Sequence, residues 1–335
     1  MKKEWLIKTL SMGIVILFIG AGAVSALNIN LIDESKPLRR SNTLYVGGSG
    51  PNNYTKIQDA IDDASIVDTI FVYQGTYHEN LVIDKSLTLY GEDKNKTIID
   101  GSSHGNAIYI LTNRVTITGF TVTNAGYGHY AGIWLENVRF NKIVGNIISD
   151  NHYWGICLNS SSLNSISENN ISMNNLGIEA GGDPQKPSNG NIFKNNVFFS
   201  NDYYGIGFGW SKGNLFYQNI FLNSPRGISF WHNNFNIIYK NVFTDNNLGI
   251  KLHFSKHNLI LFNNFINNEK NADFLIDNLI QNNRYLGNYW NESTSKPFII
   301  HGGLVAFNRS FSNPFSWIQI DWFPAKEPYV ISIEE

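Results

Sequence analysis

Aromatic and charged side chains recur at one position through the middle of this sequence. Trp134 and Glu136, Glu179, Trp231, Lys251 and His253, and Asp273 follow a repeated Gly-Ile pair or its equivalent; Trp154, Tyr203, Tyr204, Trp210 and Arg226 lie just before or beyond it. Sugars present apolar C–H faces rimmed by hydroxyls, so aromatic platforms beside carboxylates and a guanidinium suit a glycan groove. The same rings would serve equally as cladding on the corner of a repeat protein. Glu136 and Glu179 fall two repeats apart, and side-chain reach could bring them toward the spacing of an inverting glycosidase pair. They are the catalytic candidates, with Arg226, Lys251 or His253 nearby. His129 and His152 each stand third before a repeat glycine. Stacked in adjacent coils they would lie about 5 Å apart, with Asn174 and Asp202 next in the column. Two imidazoles and the Asp202 carboxylate are a set that copper or zinc accepts; a polar corner column explains the pattern without a metal. No cofactor is demanded by these residues, and copper or calcium are the ions that enter into consideration.

The elements that must position these residues come from an internal repeat. Gly-Ile occurs at 132, 155, 177, 205, 227 and 249, with spacings of 23, 22, 28, 22 and 22, and a degenerate Asn271-Ala272 follows 22 residues later. The long interval holds a turn-rich insertion, Gly181-Gly182-Asp183-Pro184-Gln185-Lys186-Pro187. Each unit adds a second apolar segment after asparagine (Asn146, Asn170, Asn196, Asn219, Asn241, Asn264) and a third at Asn-Leu or Asn-Ile (Asn214, Asn236, Asn258). Three short period-2 segments per unit cannot be helices, and none can bury its apolar face alone. One coil per unit, stacked at about 4.8 Å, predicts an all-β parallel β-helix with three strands per coil. Asparagine is expected to occupy left-handed corners and to bond its own kind one coil away; glycine before isoleucine is expected to relieve the tightest corner. A solenoid exposes strand edges at its ends. Thr55 and Gln58 form a capping-box pattern, and Ile57, Ala60, Ile61 and Ala64 share a helical face, so a short helix over 56–64 is predicted to cover the first coil.

The chain has 335 residues, 42% of them apolar and 16% charged, which suits a packed β protein rather than a disordered one. Lys and Arg total 25 against 27 Asp and Glu, so no broad basic field exists to attract nucleic acid. A single cysteine, Cys157, excludes an intrachain disulfide framework. Lys2 and Lys3 precede an apolar run and Val24-Ser25-Ala26, which reads as a secretory signal over 1–26, or as an uncleaved anchor, the one membrane contact expected. A polar linker follows over 27–41, then a cap and first coils over 42–106, repeats over 107–287, and a capping tail over 288–335.

The opening, Tyr54 to Ala64, Asp68 to Asn80, Ile83 to Gly91 and Thr97 to Gly101, resembles the start of NosD-like proteins of the pectate-lyase superfold, and the repeats extend the likeness to about Leu286. The tail, Gly287 to Trp290 and Ile320 to Tyr329, is similar to the ending of archaeal cell-surface β-helix proteins. The resemblance implies a right-handed β-helix, an exported location and a loose association with carbohydrate; copper enters only through the accessory protein for which the family is named. Pectate lyases of similar fold use clustered Asp for calcium with an Arg base, polygalacturonases use Asn-x-Asp, Asp-Asp and Gly-His-Gly, and alginate epimerases use Asp-Pro-His-Glu. None of these arrangements occurs as a set: Asp62-Asp63 and Asn271-Ala272-Asp273 stand far apart without a Gly-His-Gly, and the nearest epimerase string is Asp183-Pro184-Gln185. Sequons begin at Asn53, Asn95, Asn159, Asn170, Asn291 and Asn308. The expectation is an exported β-helix binding polysaccharide or another cell-envelope component through a lateral aromatic face, with a polysaccharide hydrolase or lyase and a copper-handling accessory protein as alternatives.

Overall fold

The computed structural model describes residues 41–277, 282–291, 297–305 and 315–331; the predicted signal and the linker as far as Arg40 lie outside them. The fold is the expected right-handed parallel β-helix, of about eleven turns. On its lateral face Ala131–Glu136, Trp154–Asn159, Leu176–Ala180, Tyr204–Gly209, Arg226–Trp231, Leu248–His253 and Lys270–Ile276 pair successively in parallel. Three-residue strands build the second face, such as Leu215–Tyr217 on Ile237–Tyr239, and the third, such as Ile220–Leu222 on Val242–Thr244.

Register explains the core. Ile133, Ile156, Ile178, Ile206, Ile228 and Ile250 lie opposite one another and are fully buried. From the third face Phe198, Phe221, Phe243, Phe265 and Trp290 stack with centroids 4.4 to 4.9 Å apart and planes within 9° of parallel. That spacing is the distance between strands, so each coil adds one aromatic ring in van der Waals contact with the last.

The corners are held by amide ladders. In Asn146, Asn169, Asn196, Asn219, Asn241, Asn263 and Asn288, both the backbone N–H and Nδ2 of each donate to Oδ1 of the next. The second Nδ2 proton of Asn219 goes to the Phe193 carbonyl of the preceding coil, 2.9 Å away. Buried amides are therefore satisfied along the whole column. Left-handed backbone falls one residue earlier than expected, on Glu168, Asn195, Gln218 and Lys240, because the ladder asparagine must point its side chain inward along the axis. The repeat glycines have ordinary φ, and their need is close approach: a Cβ on Gly155 would stand 2.6 Å from the Gly177 carbonyl oxygen.

The helix is present as Ile57–Asp63, with Ile57, Ala60 and Ile61 fully buried. The capping box does not form: Lys56 holds the N-cap position without a side-chain bond. Glu79 accepts the Ile57 and Gln58 N–H groups instead, at 2.8 and 2.9 Å, since a carboxylate is the stronger partner for a helix N-terminus. Gln58 is thereby released to pair both ways with the Val82 backbone, an otherwise open strand edge.

Candidate functional site

Two small residues open the lateral face. Cys157, Glu179, Gly207, Ser229, Lys251 and Asp273 are successive rungs of one outward column, and Gly209, Trp231 and His253 of the next. At Gly207 a Cβ would overlap the Tyr204 ring and come within 2.7 Å of Glu179 Oε2, so glycine leaves room for both. The result is a cleft of about 190 Å³ lined by Glu179, Gly182, Tyr204, Gly207, Phe208, Gly209, Trp210, Ser229 and Trp231. Its rim is aromatic: Trp210 and Trp231 are 37% and 43% exposed, enough free ring for a ligand to cover. Trp210 lies flat on His232 with centroids 3.9 Å apart, and Trp231 meets Phe254 edge-on at 5.0 Å, so both platforms are fixed from behind.

Glu179 gives the cleft its chemistry. Burial pushes its carboxyl up to about 8, and among the described residues its one side-chain partner is the Tyr204 hydroxyl, which donates to Oε2 at 3.4 Å. Burial first, then Glu179, drives the Tyr204 hydroxyl far above its usual range. At neutral pH the cleft floor thus carries a protonated carboxyl, a donor as well as an acceptor.

The other candidates separate into groups. Trp134 and Trp154 pack together at 5.5 Å, beside Tyr109 and His129, in a cluster nearer the N-terminus. There Glu136 is saturated by Trp134 Nε1 at 2.8 Å and the Asn137 and Asn159 amides. Register sets Glu136 opposite Asn159 and Glu179 opposite Cys157, so the two carboxylates are offset by two residues as well as two coils, about 12 Å between Cα atoms. They do not face each other as an acid–base pair. Tyr203 and Tyr204 meet edge-on, with Arg226 over the Tyr203 ring at 5.7 Å. His253 turns away to Asp273, 2.9 Å from its carboxylate.

The predicted metal column is out of register. Asn174 continues the ladder of Asn151 and Asn201, because the coils differ by one residue between that corner and the repeat glycine. His152 stacks on Tyr127 at 3.8 Å, His129 sits among Tyr153 and Trp154, and Asp202 joins neither. Among the described residues no three His, Cys, Asp or Glu side chains converge as a metal site. Burial raises the Cys157 thiol and keeps it neutral, which withholds the thiolate a metal would need, and His232 is stacked between Trp210 and Phe254. The residues described do not fit resident copper.

Sequence reasoning missed Gly207, Gly209 and Ser229; their signal was a run of small residues in columns where other coils carry Trp134, Glu136 and Lys251.

The model of the periplasmic copper-binding protein family, NosD, matches residues 40–306, and the chain belongs to that family. A cell surface glycoprotein of Methanothermus fervidus is 41% identical over 100 residues, 29% of this chain; the chain spans 16% of that relative's length. An alginate lyase from Paenibacillus sp. str. FPU-7 superimposes with a TM-score of 0.57 at 15% identity, over 73% of this chain and 95% of its own. The A-module of a mannuronan C-5 epimerase from Azotobacter vinelandii gives 0.55 at 15%, over 75% and 83%. A pectate lyase gives 0.52 at 16%, over 77% and 82%. These likenesses establish the shared fold.

Proposed function

We propose that this chain is an exported, cell-surface β-helix that binds a polysaccharide of the envelope, seating a sugar ring in the cleft between Trp210 and Trp231 over Glu179. The observation that carries the reading is the cleft itself: an aromatic rim around a floor whose hydrogen-bonding group is uncharged at neutral pH. Sugar hydroxyls pair with a protonated carboxyl and a tyrosine hydroxyl without the desolvation cost of burying an anion. The family match and the cell-surface relative support the location. Aromatic platforms that are braced from behind support binding over cladding, since cladding has no need of a space between the rings.

A glycan-array screen on residues 27–335 tests this, with Trp231→Ala and Trp210→Ala as controls and product analysis of each hit. Binding weakened at least about tenfold by either substitution supports the cleft. Cleavage products lost in Glu179→Gln would support a hydrolase or lyase, with Glu179 as proton donor. Binding to no glycan, or binding indifferent to both tryptophans, would sink the reading.

A further inference from the structure

Two cations stand beside the cleft without a carboxylate to match. Arg226 begins the strand after the one carrying Tyr204, and Lys251 is two rungs from Gly207 in the Glu179 column, next after Ser229. Both are half-buried. Arg226 lies over the Tyr203 ring, and among the described residues neither cation has an ion pair. The acid beside Lys251 in register is Asp273, the next rung, and it is already taken: His253 Nε2 is 2.9 Å from one oxygen and Lys270 Nζ 2.5 Å from the other. Lys251 feels the consequence, since burial and then the Arg226 charge hold its ammonium below the usual lysine range, with Asp273 opposing them.

Register sets Lys251 one coil and three residues from Arg226, about 11 Å between Cα atoms, within reach of one anion for two long side chains, and such an anion would recover free energy that their partial desolvation costs. The neighbouring Glu179 does not repel such an anion, because its carboxyl is uncharged at neutral pH. Resting on the glycan reading of the cleft, we infer that Arg226 and Lys251 form an anion subsite, so that the bound polysaccharide carries an acidic substituent on the sugar beyond the ring held by Trp210 and Trp231. A carboxylate and a sulfate ester share the required chemistry.

The test is calorimetric titration of the chain from residue 27 with three oligosaccharides of equal length: a uronate, its neutral methyl ester, and a sulfated neutral sugar. The acidic ligands are expected to bind about tenfold more tightly than the ester, the size of a charge-assisted contact. Whichever of the two binds tighter identifies the acidic group. Arg226→Gln and Lys251→Met should each collapse that preference to within about threefold, and Lys251→Arg should restore it. Thermal melts check that the variants are folded. Equal affinity for acid and ester, or a preference unmoved by both substitutions, overturns the inference while leaving the cleft reading intact if Trp231→Ala still abolishes binding. No binding by any of the three overturns the inference, and the glycan array then decides the cleft reading.

Discussion

Glu179 concentrates the chemistry of the lateral face into one proton. A carboxyl that titrates near 8 in the fold and near 4.5 when unfolded binds more protons in the native state between those values. Stability is therefore fullest below about pH 4.5, declines as pH rises through 8, and bears the whole penalty above it. That penalty is on the order of 3 kcal/mol, allowing for water in the open cleft. Glu179→Gln removes the titrating group but keeps its donor and acceptor, so its melting temperature should exceed the parent's at pH 9 and approach it at pH 5. Melts at both values decide the matter, and a parallel pH dependence in the two proteins would contradict the assignment. Ligand affinity should follow the same proton, falling above pH 8 in the parent but not in Glu179→Gln.

At the scale of the element, the stability of each turn rests on an amide that the sequence announces plainly. Asn219 donates to Asn241 and to the Phe193 carbonyl and accepts from Asn196, all within a dry corner. Asn219→Ala strands these partners without a replacement and should lower the unfolding free energy by about 2–4 kcal/mol in chemical denaturation. Asn219→Asp should do no better, because the Asn241 oxygen then faces an acceptor. A loss below 0.5 kcal/mol would mean that water enters the corner. The coil length, the three faces and the inward columns were legible because period-2 alternation and the Gly-Ile spacing record which side chains meet across strands. The unequal corner lengths were not: three extra residues between Ala125 and Gly132 set His129 apart from His152, and one fewer between Asn174 and Gly177 leaves Asn174 in a ladder. Likewise the capping box lost to Glu79, a partner more than twenty residues away whose position only the coiling defines. The cleft escaped notice for a related reason: aromatics catch the eye in a sequence, whereas a space is made by Gly207 and Gly209, residues that say nothing until their columns are aligned.

At the scale of the whole molecule, a solenoid must stop its ladders somewhere, and this one does so with a charge. The antiparallel pair Phe298–Leu304 and Phe315–Asp321 brings Asp321, fully buried, onto the end of the asparagine column. Its carboxylate accepts from the backbone N–H groups of Gly287, Asn288 and Phe323, from Asn288 Nδ2 and from Trp290 Nε1, at 3.0 to 3.2 Å. An amide suits every earlier rung because each passes one acceptor and one donor along; here five donors converge on one side chain. Asp321→Asn would turn an N–H into that group of donors and should cost about 3 kcal/mol despite its near-identical shape. Because coils contact mainly their neighbours, the damage should stay local. Hydrogen exchange should quicken at Asn258–Trp290 and remain at parent rates at Ala131–Asn159. Faster exchange along the entire solenoid would instead mean that the turns unfold as one cooperative body, with the C-terminal carboxylate holding all of them rather than the last few.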